Sequence, residues 1–311
     1  MNKKTINERV IPGILTAVFF LGSLIPLSIF SSQHYIARIF SFIFVGIVAS
    51  ILTYEFFKSQ RLKWYWILTL VLISLTLVFI PVEEITLKWL NFKTSSDEFD
   101  LKLLVEYTRI IALDPFVIIV CLILAIMLLV IELFTRNYSH FSQRIARLLI
   151  AFATLYFLTI FFKIFHLYVV LSNTWVYWFS ITLIAVLVDV FSFIFGISLG
   201  RKFITQPFSP IISPNKSWEG FIGGVFAGII SAFILVYSLD LFDNNYLKII
   251  FSLLAPLFAV LGDLYFSYIK RLNGLKDYSK ILRGHGGLLD RIDSICFITV
   301  LSYVLILFSN I

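Results

Sequence analysis

The chain is poor in cysteine and in charged residues, and both shortages restrict what it can be. It has two cysteines, Cys121 and Cys296, and no Cys/His spacing near either one predicts a zinc site or a disulfide framework. Charged residues make up 14% of the 311 residues and hydrophobic ones 60%, against roughly 25% and 45–50% in soluble domains. The composition therefore excludes an ordinary soluble fold.

Long apolar runs fill the sequence instead. Each is about 20 residues long and can cross a hydrocarbon core roughly 30 Å thick. Backbone polar groups within lipid must pair inside the segment, which favours helices, and the runs lack the alternation of barrel strands. We therefore predict an all-α, polytopic membrane protein with nine spans, and a short external helix near 101–111. The spans are at 11–31, 35–57, 64–82, 115–134, 145–162, 174–200, 221–239, 246–269 and 294–309.

The net charge is +7, but the basic residues are concentrated in every second connection between the predicted spans. The charge therefore does not indicate a nucleic-acid partner. Connections rich in Lys and Arg alternate with acidic ones, such as 83–114 and 240–245, as the positive-inside rule requires. This pattern predicts a multi-pass protein with its amino terminus in the cytoplasm and its carboxyl terminus outside. The low cysteine content and the many Phe, Ile and Lys residues fit a protein of the plasma membrane.

Polar residues concentrate in the second half of the chain. We predict an amino-terminal transmembrane scaffold at 1–173 and a catalytic region at 174–311, with cytoplasmic loops at 201–220 and 270–293. No soluble domain and no internal repeat interrupts this plan.

Two acids, Asp189 and Asp263, lie inside apolar runs. Placing a carboxylate at such depth costs at least about 2.5–3.5 kcal/mol, so each is expected to face a polar cavity and a partner. Two interpretations remain for these acids. Each could form a structural pair with Lys or Arg, or the acids could form a cation site, since Mg²⁺ takes one or two carboxylates with waters and substrate phosphates. Glu55 and Glu132, near basic residues, are expected to be solvated or paired.

The two cytoplasmic loops carry the remaining candidate groups. In the first, Ser217 is predicted to cap a helix that has Glu219 in its first turn. Such a helix start can bind phosphate, although a well-capped span explains the segment equally well. In the second, six Lys/Arg surround a Gly-rich turn at 284–287, and Asp290 and Asp293 share a face if that segment is helical. Basic residues for phosphate with carboxylates for a metal are typical of phosphoryl or nucleotidyl transfer.

These loops resemble the signature of the CDP-diacylglycerol synthases, the phosphatidate cytidylyltransferases. The similar blocks lie between residues 189 and 294: Asp189 to Gly196, Ser213 to Gly220, Gly262-Asp263-Leu264, Ser267-Tyr-Ile-Lys-Arg271, Lys276-Asp277 and His285-Gly-Gly-Leu-Leu-Asp-Arg-Ile-Asp293. The resemblance implies formation of CDP-diacylglycerol and pyrophosphate from CTP and phosphatidate, in phospholipid biosynthesis. It also implies Mg²⁺, with a monovalent cation that shares the site, and it is compatible with a homodimer.

By position, the resemblance also assigns roles to residues. Asp263 and Asp290 would be the metal-site carboxylates, with Asp293 and Asp189 as further candidate ligands. The implied catalytic residues are Asp263, Asp290, Lys270, Arg271 and Arg291, and the implied substrate-binding residues are Ser213, Lys216, Lys276, His285, Gly286 and Gly287. Three positions depart from the usual pattern: Phe266 replaces a Glu, Arg283 a Pro or Gly, and Phe191 a Gly. The first change removes an acid expected beside Asp263.

Other functions fit part of the pattern. A secondary transporter for an anionic solute would also contain intramembrane acids and a basic vestibule, but the polar residues here cluster in loops on one face. A phosphotransferase for a polyprenol-type lipid would share the metal chemistry, and a non-catalytic relative would bind lipid alone. A requirement for both CTP and phosphatidate separates these alternatives from the synthase.

Overall fold

A computed structural model describes residues 11–79, 101–135, 141–279 and 286–309. Ten helices and one small hairpin make up these residues. They are α1 (Ile11–Phe30), α2 (Tyr35–Ser59), α3 (Trp64–Phe79), α4 (Leu101–Leu113), α5 (Pro115–Thr135), α6 (Phe141–Val170), α7 (Trp175–Ser198), β1 (Pro207–Ser209), β2 (Ser213–Ser217), α8 (Trp218–Ser238), α9 (Asn245–Leu272) and α10 (Leu289–Leu307).

The helical character predicted from the apolar runs is confirmed. A helix lies on each predicted span, and α4 lies where the short additional helix was expected. Within the described residues, six helices are long and apolar enough to cross a membrane, namely α2, α5, α6, α7, α8 and α9. The chain is thus a multi-pass membrane protein by helix length and composition. The number of nine spans, the sidedness of the termini and the domain boundary at residue 173 stay predictions.

The buried apolar side chains form two clusters. One joins α4, the second halves of α6 and α10, and parts of α7, α8 and α9. The other joins α2, α3, α5 and α6 to the polar ends of α9 and α10, and it includes Phe266, Tyr278 and Leu289. Both cysteines are free and buried, as the sequence suggested. Helices of the predicted scaffold therefore pack directly against the segments that carry the candidate site.

The hairpin of β1 and β2 was not predicted. Pro207 pairs with Ser217 and Ser209 with Ser213, with an irregularity between them. Strands of three and five residues that contain Pro and Ser lack an alternating apolar pattern, so nothing in the sequence indicated them. The hairpin packs on the start of α8, where the Phe208 ring stacks on Phe221 with 4.3 Å between centroids.

Candidate active site

The hairpin brings Lys216 to Asp263 in the middle of α9. The Lys216 ammonium forms an ion pair with Asp263 Oδ2, although the residues are 47 positions apart. The hydroxyl of Ser267, one helical turn after Asp263, donates to Oδ1 at 3.2 Å. The two charged side chains are 33% and 27% exposed, so the pair remains accessible to a ligand.

Asp290 is the centre of a second, more buried arrangement. Its Oδ1 lies 2.6 Å from Lys270 Nζ, and both side chains are 9% exposed. Its Oδ2 accepts hydrogen bonds from the backbone N–H of Gly287, at 2.8 Å, and of Tyr278, at 3.1 Å. Asp290 also lies in the first turn of α10, where the helix dipole favours a negative charge. One carboxylate thus ties the end of α9, the loop after it and the start of α10 together.

The remaining two candidate acids are near this pair of sites. Asp189 interacts electrostatically with Asp263, Lys216 and Arg291. Asp293 interacts with Asp263, Asp189 and Lys270. The approach of α9 to α10 requires glycine at 262, since a Cβ there would lie 2.5 Å from the Asp293 carbonyl oxygen. A residue without a side chain thus allows the two helix backbones to approach closely at this position.

The other predicted residues are distributed around this cluster. Arg271 is exposed, and its Nε donates to the Ile212 carbonyl oxygen at 3.2 Å, which fastens the hairpin turn to α9. Ser213 begins β2 and is half-buried, while Lys276 is exposed in the loop after α9. Gly286 has a φ of +78°, and Gly287 supplies a donor to Asp290. His285 and Arg283 lie outside the described residues.

Ser217 caps α8 as predicted. Its hydroxyl accepts a hydrogen bond from the Gly220 N–H at 3.1 Å, and Glu219 lies in the first turn. The Glu219 carboxylate accepts from three backbone N–H groups, those of Arg201, Phe203 and Ile204, at 2.9–3.1 Å. The chain between α7 and the hairpin is therefore held to the start of α8.

Glu55 belongs to the site, although sequence reasoning gave it a solvated or paired role. It is fully buried on α2. Its Oε1 accepts from the Ser279 hydroxyl at 2.5 Å and the Leu288 N–H at 3.1 Å, and its Oε2 accepts from the Leu289 N–H at 2.7 Å. A Cβ at Gly287 would lie 2.6 Å from Glu55 Oε2, so any larger residue there would displace this carboxylate. An acid in the apolar segment Thr-Tyr-Glu-Phe-Phe is the same signal that singled out Asp189, and it could have identified Glu55.

Glu132 is paired, as expected. Arg147 donates to both of its carboxylate oxygens, at 2.9 and 2.7 Å. The same guanidinium donates to Gln60 Oε1 at 2.7 Å and to Asn273 Oδ1 at 2.9 Å. The ends of α2 and α9 are thereby joined to α5 and α6 close to the loop that carries the site.

Phe266 does not leave a gap beside Asp263. Its side chain is fully buried and contacts the rings of Tyr265, Tyr278 and Phe297. The Tyr278 hydroxyl donates to the Phe266 carbonyl oxygen at 3.0 Å, and burial raises the pKa of this hydroxyl, which keeps it a neutral donor. The partners of Asp263 are Lys216 and Ser267, so the substitution extends an aromatic cluster and does not open the polar site.

The magnesium site expected from the resemblance stays a prediction. Mg²⁺ usually takes one or two carboxylates and completes its shell with waters and phosphates. Among the described residues no three His, Cys, Asp or Glu side chains form a ready metal centre. Asp263 is nonetheless accessible, and Asp189 and Asp293 are near enough to interact with it.

Comparisons with known proteins identify the family of this chain. The chain matches the family model described as the Cytidylyltransferase family over residues 14–309. Similar curated proteins are named phosphatidate cytidylyltransferase. Those of Staphylococcus aureus (strain COL), Staphylococcus epidermidis and Staphylococcus haemolyticus are 41%, 39% and 38% identical over 125 residues. The matched segment is 40% of this chain and 46% of each relative, so the chain spans about half the length of the curated relatives that it matches.

Proposed function

This chain belongs to the cytidylyltransferase family, and we propose that it is a phosphatidate cytidylyltransferase of phospholipid biosynthesis. In this reaction a phosphate oxygen of phosphatidate attacks the α-phosphorus of CTP. The bond from that phosphorus to the β-phosphate breaks, and CDP-diacylglycerol and pyrophosphate form. The observation that carries the proposal is a set of two Lys–Asp pairs, Lys216 with Asp263 and Lys270 with Asp290, anchored seven residues apart on α9.

The chain's own residues mainly have to position and neutralise phosphates. The second pKa of a phosphate monoester is about 6, so the attacking oxygen is largely deprotonated at neutral pH and needs no strong base. Lys216 and Lys270 lie where they can exchange a carboxylate for a phosphate oxygen, and Arg271 and Arg291 are exposed nearby. Each such cation would stabilise the charge that develops in the transition state by about 2.7–4 kcal/mol. Ser213, Lys276, His285, Gly286 and Gly287 complete the proposed substrate pocket.

The proposal includes Mg²⁺ held by Asp263 and Asp290, with Asp293 and Asp189 as additional ligands. When bound, Mg²⁺ neutralises phosphate charge and helps to align the attacking and leaving oxygens. Four acids exceed the one or two carboxylates that Mg²⁺ commonly takes. This excess supports a monovalent cation as a second occupant of the same cluster.

The proposal also gives each substrate its own route. CTP would reach the site from the cytoplasm through the basic loops, and phosphatidate would arrive from the plasma membrane between helices. The positive-inside pattern supports this orientation. A homodimer stays a prediction from the resemblance.

Pyrophosphate release by the purified protein tests the reaction. Mixed micelles would contain phosphatidate, CTP and Mg²⁺, with ATP, a polyprenyl phosphate and lipid-free micelles as controls. We expect release to require CTP, phosphatidate and the metal together. Asp263→Asn should abolish it, whereas the matched change Asp243→Asn, at an exposed acid of the turn between α8 and α9, should not. Release with the polyprenyl phosphate alone, or none from folded protein, would contradict the proposal.

A further inference from the structure

A large apolar chamber lies beside the proposed site. Its volume is about 520 Å³, and it is enclosed by α1, α2, α6, α7 and α10. The side chains that line it are aliphatic or aromatic except for Thr182 and Arg291. Such a surface has almost no group that could orient a polar ligand, so the occupant must be mainly hydrocarbon.

The chamber adjoins the acidic cluster at one end. Arg291 lines the chamber, follows Asp290 in α10 and interacts electrostatically with Asp189. Val186, another lining residue, precedes Asp189 by three positions on α7, so the two lie on one helix face. A molecule in the chamber can therefore place an anionic end at Arg291 and beside the carboxylates.

The other end is closed by aromatic side chains. On α7 the lining residues run from Trp178 to Val186, about 12 Å along the helix axis. Trp178 is buried, and its indole N–H donates to the Ser28 hydroxyl at 3.0 Å, which fixes the ring at this end. Val186 and Leu21 are 48% and 42% exposed, so the chamber opens sideways between α1 and α7.

We infer that this chamber holds one acyl chain of the glycerophospholipid substrate, with the lipid phosphate at Arg291 and the other chain among the bilayer lipids. The inference rests on the proposed function for the identity of the lipid. A volume of 520 Å³ is in the range of roughly 300–1,000 Å³ that single small ligands occupy. The closed aromatic end limits the length of the chain, so the protein selects phosphatidates by the length of one of their two chains.

Two substitutions on α7 shift this selection in opposite directions. Leu183→Trp shortens the space, so kcat/KM for phosphatidates with long chains should fall roughly 10-fold or more while that for short chains is kept. Phe179→Ala lengthens the space and should move the optimum to longer chains. Ile194→Trp is the matched control, because Ile194 is on the same helix, is 47% exposed and does not line the chamber.

The experiment measures pyrophosphate release over a series of phosphatidates from dihexanoyl to dioleoyl, together with cross-linking by a phosphatidate that carries a diazirine on one chain. Opposite shifts in the two variants, with cross-links to Leu183 or Ile295, are the expected result. Identical length profiles in all variants, or cross-links confined to outward residues such as Ile194, would overturn the inference. Cross-links inside the chamber without any pyrophosphate release would keep the inference and refute the proposed reaction.

Discussion

Replacement of Glu55 should weaken both the fold and the site, because its carboxylate accepts three hydrogen bonds in a fully buried place. In Glu55→Ala the Ser279 hydroxyl and the N–H groups of Leu288 and Leu289 lose their acceptor. A buried donor without a partner costs about 1–3 kcal/mol, so three donors cost roughly 3–9 kcal/mol. That is a large part of the 5–15 kcal/mol that typically separates a folded domain from its unfolded state.

Glu55→Gln gives a graded version of the same test. The amide oxygen can take the place of Oε1 and keep two of the bonds, while the NH₂ group then faces the Leu289 N–H. We expect a loss of about 1.5–3 kcal/mol, the value of one hydrogen bond to a charged group. Because Leu289 directly precedes Asp290, turnover should fall together with stability.

Thermal and denaturant unfolding in detergent micelles, followed by pyrophosphate release, would measure both effects. The control is Glu106→Gln, an exposed glutamate on α4 that should change stability by no more than about 0.5 kcal/mol. The expected order of stability is Glu106→Gln, then Glu55→Gln, then Glu55→Ala. If Glu55→Ala unfolds like the unmodified protein and keeps its turnover, the three donors are satisfied in another way and the reasoning is wrong.

Three more substitutions test neighbouring contacts. Asp290→Asn should abolish pyrophosphate release and lower the unfolding free energy by about 3–5 kcal/mol, because it leaves the buried Lys270 ammonium without its charged partner. The double variant Asp290→Asn with Lys270→Met should recover stability but not pyrophosphate release. Phe266→Glu should sharply lower the unfolding temperature, since it buries a carboxylate among aromatic rings. Phe266→Leu should lower the unfolding temperature much less, and equal unfolding temperatures for the two variants would contradict this explanation. Ser217→Ala removes the cap of α8 and should cost about 1 kcal/mol in denaturant unfolding, and no change would show that water replaces the cap.

Local patterns in the sequence predicted much of the fold. The helices follow from unbroken apolar runs, and the cap at Ser217 follows from its position before such a run. These features depend on neighbours within a few residues. The acids Asp189 and Asp263 were identified for a similar reason, because the cost of burying a carboxylate is a property of its immediate surroundings.

The pairings inside the site could not be predicted in that way. Lys216 reaches Asp263 across 47 positions, and Glu55 reaches Ser279 across 224. Such contacts depend on how the helices pack, which the periodicity of one segment does not specify. Phe266 is a second example of a contact that the sequence does not specify. Comparison with the family pattern indicates that an acid is missing there. In the structure Phe266 lies between Tyr278 and Phe297 and is part of an aromatic core.

The distance along the chain between Glu55 and its partners has a consequence for biosynthesis. At about 5–20 residues per second, the ribosome needs roughly 10–45 s to synthesise the chain from Glu55 to Ser279. During that time α2 carries a carboxylate whose donors have not yet been made. The nascent protein must therefore keep this part of α2 hydrated or at the membrane surface until α10 arrives. Insertion of α10 therefore completes the burial of Glu55, and a chain that stops short of α10 leaves this carboxylate without its backbone donors.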